Sequence, residues 1–240
     1  MNVIPYKELE KGKKEQVALM FNNISHRYDF LNRVLSLGID IRWRKQAVAI
    51  LKAHHPKEIL DVATGTADFA IAALKANPTK IIGIDISTQM LAVGREKINK
   101  LGLQDKIELY EGDSEKIEYS DNKFDAVIVS FGVRNFENLE KGMSEILRVL
   151  KPNGLVIVLE FSKPKGFIFK NIYHFYFKFI VPTIGKLISK DTSAYRYLPE
   201  SVNAFPYGKA FTTILDKTGF KKTTCKELTF GISSIYTGIK

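Results

Sequence analysis

Residues 58–68, EILDVATGTAD, followed at 81–86 by IIGIDI, constrain the fold more than any other part of the chain. Ile59, Leu60, Val62 and Ala63 make a short apolar strand that breaks into a turn of small residues. From about Thr66, Phe69, Ile71, Ala72 and Leu74 recur at helical spacing. A second apolar strand then ends on an acid, Asp85. Strand, tight small-residue turn, helix, and a strand closing on an acid about twenty residues further on form the opening unit of a nucleotide-binding doubly wound sheet. Small residues such as Gly65 let the backbone approach a ligand closely. The acid is placed to accept hydrogen bonds from a ribose.

The turn carries an acid of its own, Asp61, at the strand end. A carboxylate there repels a pyrophosphate in a partly desolvated site and suits a ligand with a positive group. S-adenosylmethionine has an α-ammonium, a sulfonium, a ribose and an adenine, and no phosphate. The pattern D-x-A-x-G-x-A-D with Asp85 therefore favours that cofactor. Taken alone the turn leaves another nucleotide, or a plain βαβ connection, open; the rest of the chain narrows the choice.

Strands are expected at 58–63, 80–85, 106–110, 124–131 and 155–161, alternating with helices at 66–76, 88–101 and 137–149. Such alternation implies a parallel sheet with right-handed crossovers and a ligand site beyond the carboxyl ends of the strands. Asp61, Asp85, Asp113, Ser130 and Glu160 fall at or beside those ends. Asp113 can accept from an adenine amino group, and Asp113 with Ser114 equally reads as an ordinary turn. A helix at 207–218 and strands at 221–228 and 232–239, too close to be joined other than as an antiparallel hairpin, finish the chain. The fold class is α/β: a doubly wound, seven-stranded, mostly parallel sheet with an antiparallel C-terminal hairpin strand. It forms one domain, with a helical cap over 1–56, a cofactor-binding core over 57–162, an inserted lid over 163–205, and the closing helix and hairpin over 206–240. In the cap, 1–16 reads as frayed or weakly helical, and 17–53 as two or three helices broken at Gly38, placed to cover a substrate mouth. Pro199 marks a helix start.

One cysteine, Cys225, excludes a disulfide framework within the chain, and His26, His54, His55 and His174 lack metal-ligand spacing, so no metal is expected. A polar N-terminus and the lack of an apolar run of some 18 residues point to a cytoplasmic protein. Of 240 residues 45% are hydrophobic, ample for a core, and the net charge is +10. That charge clusters at 163–190, which holds Lys163, Lys165, Lys170, Lys178, Lys186 and Lys190 without an acid, interleaved with aromatics from Phe167 to Phe179. The segment fits a helix lying on an anionic membrane surface, a lid over a greasy substrate, or an inserted helix packed on the core. Nucleic acid ranks lower, because the segment has no arginine.

Several stretches resemble the C-methyltransferases of membrane-quinone synthesis, the demethylmenaquinone methyltransferase family: FNNISHRYDFLN (21–32), WRKQAV (43–48), ILDVATGTADFA (59–70), GIDIS (83–87), ML..GREK (90–97), SFGVRNF (130–136), RVLKPNG (148–154), LEFSKP (159–164) and SAYRYLPESV (193–202). They run from about residue 17 to the end of the chain. The resemblance implies S-adenosylmethionine held by Thr66, Asp85, Asp113, Ser114 and Ser130, to which the reading of the turn adds Asp61 and Gly65. It implies a catalytic set of Tyr28, Arg134 and Asn135, with His26 or Asp29 nearby. The implied reaction is C-methylation of a polyprenylated quinol, demethylmenaquinol to menaquinol, with the benzoquinol precursor of ubiquinone or another phenolic or lipid acceptor as alternatives. The implied setting is peripheral, at the inner face of a membrane, and a homodimer is the commonest association state for such a chain. Two positions depart from the family's pattern: Ala67 stands where glycine is usual, and Asp113-Ser114 where asparagine-alanine is frequent. Ala67 is comfortable at negative φ and strained at positive φ.

Overall fold

The computed structural model describes residues 3–164, Gly166, Tyr176 and 193–240. The basic aromatic stretch 163–190, apart from Lys163, Pro164, Gly166 and Tyr176, lies outside the described residues. The expected strands form one sheet: β1 (Glu58–Val62), β2 (Lys80–Asp85), β3 (Ile107–Glu111), β4 (Phe124–Ser130), β5 (Leu150–Phe161), β6 (Lys221–Leu228) and β7 (Ser233–Ile239). Their order is β3-β2-β1-β4-β5-β7-β6. All neighbours run parallel except β7, which is antiparallel to both β5 and β6.

The near-continuous apolar runs reflect burial on both faces. Along β4, Ala126 and Ile128 join one cluster, and Val127 and Val129 join the other. The first face is covered by α2 (Ile39–Ala53), α3 (Asp68–Ala73) and α4 (Thr88–Lys100), through Trp43, Leu51, Ala70 and Leu91. The second is covered by α5 (Leu139–Val149) and α7 (Lys209–Thr218), through Met143, Ile146, Phe211 and Leu215. A third cluster joins α1 (Lys13–Leu35) to α6 (Ser193–Ala204), with Val17, Met20 and Leu31 against Ala194 and Tyr197.

α1 crosses the carboxyl edge of the sheet and touches the segments that leave four of its strands. Thr66, after β1, donates to Asp29 at 2.6 Å. Ser87, after β2, donates to Asn22 at 2.8 Å. Lys14 reaches Asp113, after β3, at 2.6 Å. Lys13 reaches the carbonyl of Phe136, after β4, at 2.7 Å. The break between α1 and α2 comes at Gly38, whose φ of 73° a side chain would strain.

Four expectations are corrected. The first sixteen residues are not frayed as a block: Tyr6 is buried, its amide donates to Gln16 at 2.9 Å, and α1 begins at Lys13. The helix after β1 is shorter than expected, Asp68–Ala73 followed by a single 3₁₀ turn. β5 begins at Leu150, because Leu150 pairs with Phe124 before the register shifts to Leu155 against Ala126; the K-P-N-G turn is a bulge within the strand. Pro199 sits inside α6, which starts at Ser193.

Candidate active site

Two cavities meet at the carboxyl edge. The smaller, about 60 Å³, opens beyond β1, β2 and β4 and brings together Gly65, Asp85, Asp113, Ser114 and Ser130, all named from the sequence, with Tyr28 and Asn135. The position is the one that strand order dictates: the connection from β1 runs to β2 and that from its neighbour β4 runs the other way to β5, so a crevice opens between the ends of β1 and β4. Asp85 Oδ2 accepts from the Gly65 amide and Oδ1 from the Ser87 amide, both at 2.8 Å. Burial pushes its carboxyl up to about 6. Asp113 Oδ1 accepts from the Glu115 amide at 2.8 Å, while Oδ2 pairs with Lys14.

Asp61 and Thr66 lie beneath this cavity rather than in its wall. Asp61 is 1% exposed; Oδ2 accepts from Thr64 Oγ1 at 2.7 Å, and burial pushes the carboxyl up to about 7 against the pull of the Thr64 hydroxyl and the Ala70 amide. Thr66 spends its hydroxyl on Asp29. Asp29 in turn pairs with Lys97 at 2.6 Å, Lys97 with Asp68 at 2.6 Å, and Asp68 with Arg44 at 3.3 Å. This chain of charges ties α1, α4, α3 and α2 around the glycine turn, and it occupies Asp29, which the sequence left as a candidate near the substrate. His26 is exposed.

The larger cavity, about 300 Å³, lies between α1, α2 and α6. Its wall is mainly apolar (Met20, Leu31, Trp43, Phe131, Phe161, Ile232), with Tyr28, Arg134, Asn135 and Tyr197 among its polar groups, along with Asn32, Ser36, Asp40, Arg44 and Thr229. Tyr28 and Asn135 line both cavities and so stand at their junction. Burial raises the Tyr28 hydroxyl above its ordinary value. Arg134 is anchored at two points: Nη1 donates to Glu160 Oε1 at 2.8 Å and to the carbonyl of Phe131. Glu160 is fully buried and also accepts the amides of Phe161 at 2.8 Å and Arg134 at 3.3 Å; burial raises its carboxyl. The guanidinium lies 5.4 Å above the Phe161 ring. A close approach closes the floor: a Cβ at Gly132 would stand 2.7 Å from that of Ala63.

The small cavity suits a ligand rich in donors. Asp85, Asp113, Ser114 and Ser130 present mainly acceptors, and Ser130 Oγ is buried without a partner. The ammonium, ribose hydroxyls and adenine amino group of S-adenosylmethionine fit that wall.

Residues 9–240 match the model of the ubiE/COQ5 methyltransferase family. The chain belongs to that family. A demethylmenaquinone methyltransferase of Bacteroides fragilis is 49% identical over 231 residues, covering 95% of this chain and 94% of that protein. A ubiquinone/menaquinone biosynthesis C-methyltransferase of Geobacter sulfurreducens is 44% identical over 237 residues, covering 98% and 91%. Among solved structures, an Aquifex aeolicus SAM-dependent methyltransferase superposes with a TM-score of 0.58 at 22% identity, over 80% of this chain and 88% of that one, and shares the fold. The chain is an S-adenosylmethionine-dependent methyltransferase, as the turn and the acids of the carboxyl edge imply.

Within this family member, Tyr197, which lines the larger cavity, and Lys13, which holds the carbonyls of Arg134 and Phe136, both escaped the sequence. Tyr197 is 3% exposed, its hydroxyl has no partner, and burial pushes it up to about 12. It stands in a run of tyrosines whose placement depends on α6 folding back onto the 133–135 turn. Lys13 lies in a polar stretch where nothing local marks it for burial.

Proposed function

We propose that this chain transfers a methyl group to a ring carbon of a prenylated quinol, demethylmenaquinol first and the demethylated benzoquinol as the alternative acceptor. The observation that carries the reading is the larger cavity: its wall is mainly apolar, and Tyr28 and Asn135 stand where it joins the cofactor side, while Asn32, Ser36, Thr229 and the paired Asp40 and Arg44 line it elsewhere. A ring with hydroxyls belongs at that end, and a hydrocarbon tail fits the rest. The family relatives' names span both rings, and the 49% identical one carries the naphthoquinone name.

When bound, S-adenosylmethionine supplies the electrophilic methyl group. The chain's own residues hold and activate the acceptor. The charge of Arg134, beside a ring hydroxyl, favours the ionised form and so makes the neighbouring carbon nucleophilic. The hydroxyl's proton leaves to water at the mouth, and once the carbon carries the methyl its own hydrogen leaves as a proton by the same route, restoring the aromatic ring. Glu160 aims the guanidinium and balances it when the site is empty. Tyr28, kept protonated by burial, donates a hydrogen bond at the junction. Asn135 Oδ1, buried without a partner, supplies an acceptor there. Enclosure by α1, α2 and α6 excludes water and keeps ring and donor in line.

A tail of isoprene units resides in a bilayer, so the mouth must meet one. Leu37 lines the larger cavity and is 79% exposed, at a left-handed φ of 51°. Phe30 and Arg33 on α1 and Arg42 and Lys45 on α2, the two helices that flank Leu37 in the chain, are all exposed. An apolar tip between two helices that carry exposed cations suits an anionic lipid surface. Among the described residues no helix is long and apolar enough to cross a membrane. Replacing Leu37 by Asp should release the protein from anionic vesicles in a sedimentation assay and slow turnover of long-tailed quinol, with S-adenosylhomocysteine affinity unchanged. Undiminished vesicle binding and turnover would remove this corner from the account.

A further inference from the structure

We propose that Lys13 is a positioning residue for methyl transfer: its ammonium fixes the turn that carries Arg134 and Asn135 and couples that turn to the docked state of α1. The inference rests on the functional reading above, which gives the turn its role.

Lys13 breaks two rules of local structure. It is the first residue of a helix, where the macrodipole disfavours a cation. It is also buried, and among the described residues its ammonium has carbonyls rather than a carboxylate at hydrogen-bond distance, the oxygens of Phe136 at 2.7 Å and Arg134 at 3.3 Å. Burial lowers its pKa accordingly. Neither placement serves α1 itself. The end of α1 is held without it, because Gln16 donates to the carbonyls of Leu9 and Lys11 and accepts from the Tyr6 amide.

The ammonium serves the turn instead. Residues 133–135 form a single 3₁₀ turn, held by Asn135 N to Gly132 O at 2.9 Å and Phe136 N to Val133 O at 3.2 Å. One such turn has little stability of its own. The two carbonyls that Lys13 takes bracket Asn135. The Lys13 amide also donates to Glu137 Oε1 at 2.9 Å. Glu160 grips Arg134 from β5, so the turn is clamped between the sheet on one side and α1 on the other. Since α1 also carries Tyr28, undocking its first turn would disturb both groups at the junction of the cavities together. Lys14, beside it, pairs with Asp113 at 2.6 Å and Glu115 at 3.5 Å, so the same helical turn reaches the adenine-side loop.

The test compares Lys13→Met, which keeps the stem, with Lys13→Arg, which keeps the charge. In Lys13→Met, amide hydrogen exchange at Asn135 and Phe136 should accelerate while the strands keep native protection. Turnover at saturating donor should fall about tenfold or more, the scale set by a small misplacement of reacting groups. S-adenosylhomocysteine affinity should change by less than about threefold, since the acids that hold it are untouched. Lys13→Arg should recover part of the rate. Unchanged exchange at 135 and 136 with native turnover would overturn the proposal, as would a loss confined to donor affinity. Should wild-type protein fail to methylate a quinol while exchange still responds to Lys13→Met, the quinol reading falls and what stands is that Lys13 fixes the 133–135 turn.

Discussion

Ala67 holds a left-handed backbone, φ 65°, at the N-terminus of α3, so it occupies the strained alternative of the two open to it. Left-handed alanine costs about 1–2 kcal/mol. Glycine would relieve that, and would lose a buried methyl worth roughly 0.8 kcal/mol and flexibility worth roughly 0.4–1 kcal/mol. The terms nearly cancel, so Ala67→Gly should leave stability within about 0.5 kcal/mol, whereas Ala70→Gly, buried in the same helix at ordinary φ, should cost about 1.5 kcal/mol or more. Equal losses in urea unfolding would show that no strain is stored at Ala67. Asp61 gives a pH signature. Its carboxyl is pushed from 3.8 to about 7, so between those values the folded state holds a proton that the unfolded state releases. Unfolding free energy therefore falls as pH rises from about 4 to about 7 and levels above it. Asp61→Asn removes this titration, and its stability advantage over wild type should widen across that window by up to about 4 kcal/mol. A gap constant with pH would contradict the burial assigned to Asp61. The residues that meet in the smaller cavity were legible in the sequence because turn spacing fixes which side chains stand at strand ends. The depth of Asp61 was not, since its burial is set by the elements packed around the strand end.

The elements that matter most here are the ends of β4 and β5 and the long helix that crosses them. Arg134 and Glu160 form a buried pair between those two strand ends, with side chains 8% and 0% exposed. Breaking such a pair leaves an uncompensated charge, so Arg134→Met should cost about 3–5 kcal/mol, and Arg134→Met with Glu160→Gln should cost clearly less than the sum of the two single changes. Additive losses in thermal or urea unfolding would show that the two side chains are not coupled. The order of strands and helices and the final hairpin were legible, because continuous apolar runs, small-residue turns and a cap such as Ser87 are local signals. The start of α1 and the bulge in β5 were not, since each is set by partners far along the chain: Glu137 for Lys13, and Phe124 for Leu150.

At the scale of the molecule, a widely shared sheet has been given a roof by α1 and α6, and the roof makes the difference between a cofactor crevice and an enclosed site for an apolar acceptor. The sheet could be read from alternation of strand and helix alone. The roof could be placed only as an N-terminal addition and an insertion; that α1 touches the loops after four strands, and that Tyr197 comes down on the 133–135 turn, are consequences of packing between segments far apart in sequence. The central claim is that the enclosed acceptor is a prenylated quinol. The most direct measurement offers methyl-labelled S-adenosylmethionine with demethylmenaquinol and, in parallel, with the demethylated benzoquinol, both kept reduced in detergent. The account predicts label on a ring carbon, with the naphthoquinol labelled faster. Folded, cofactor-binding protein that labels neither ring would contradict it.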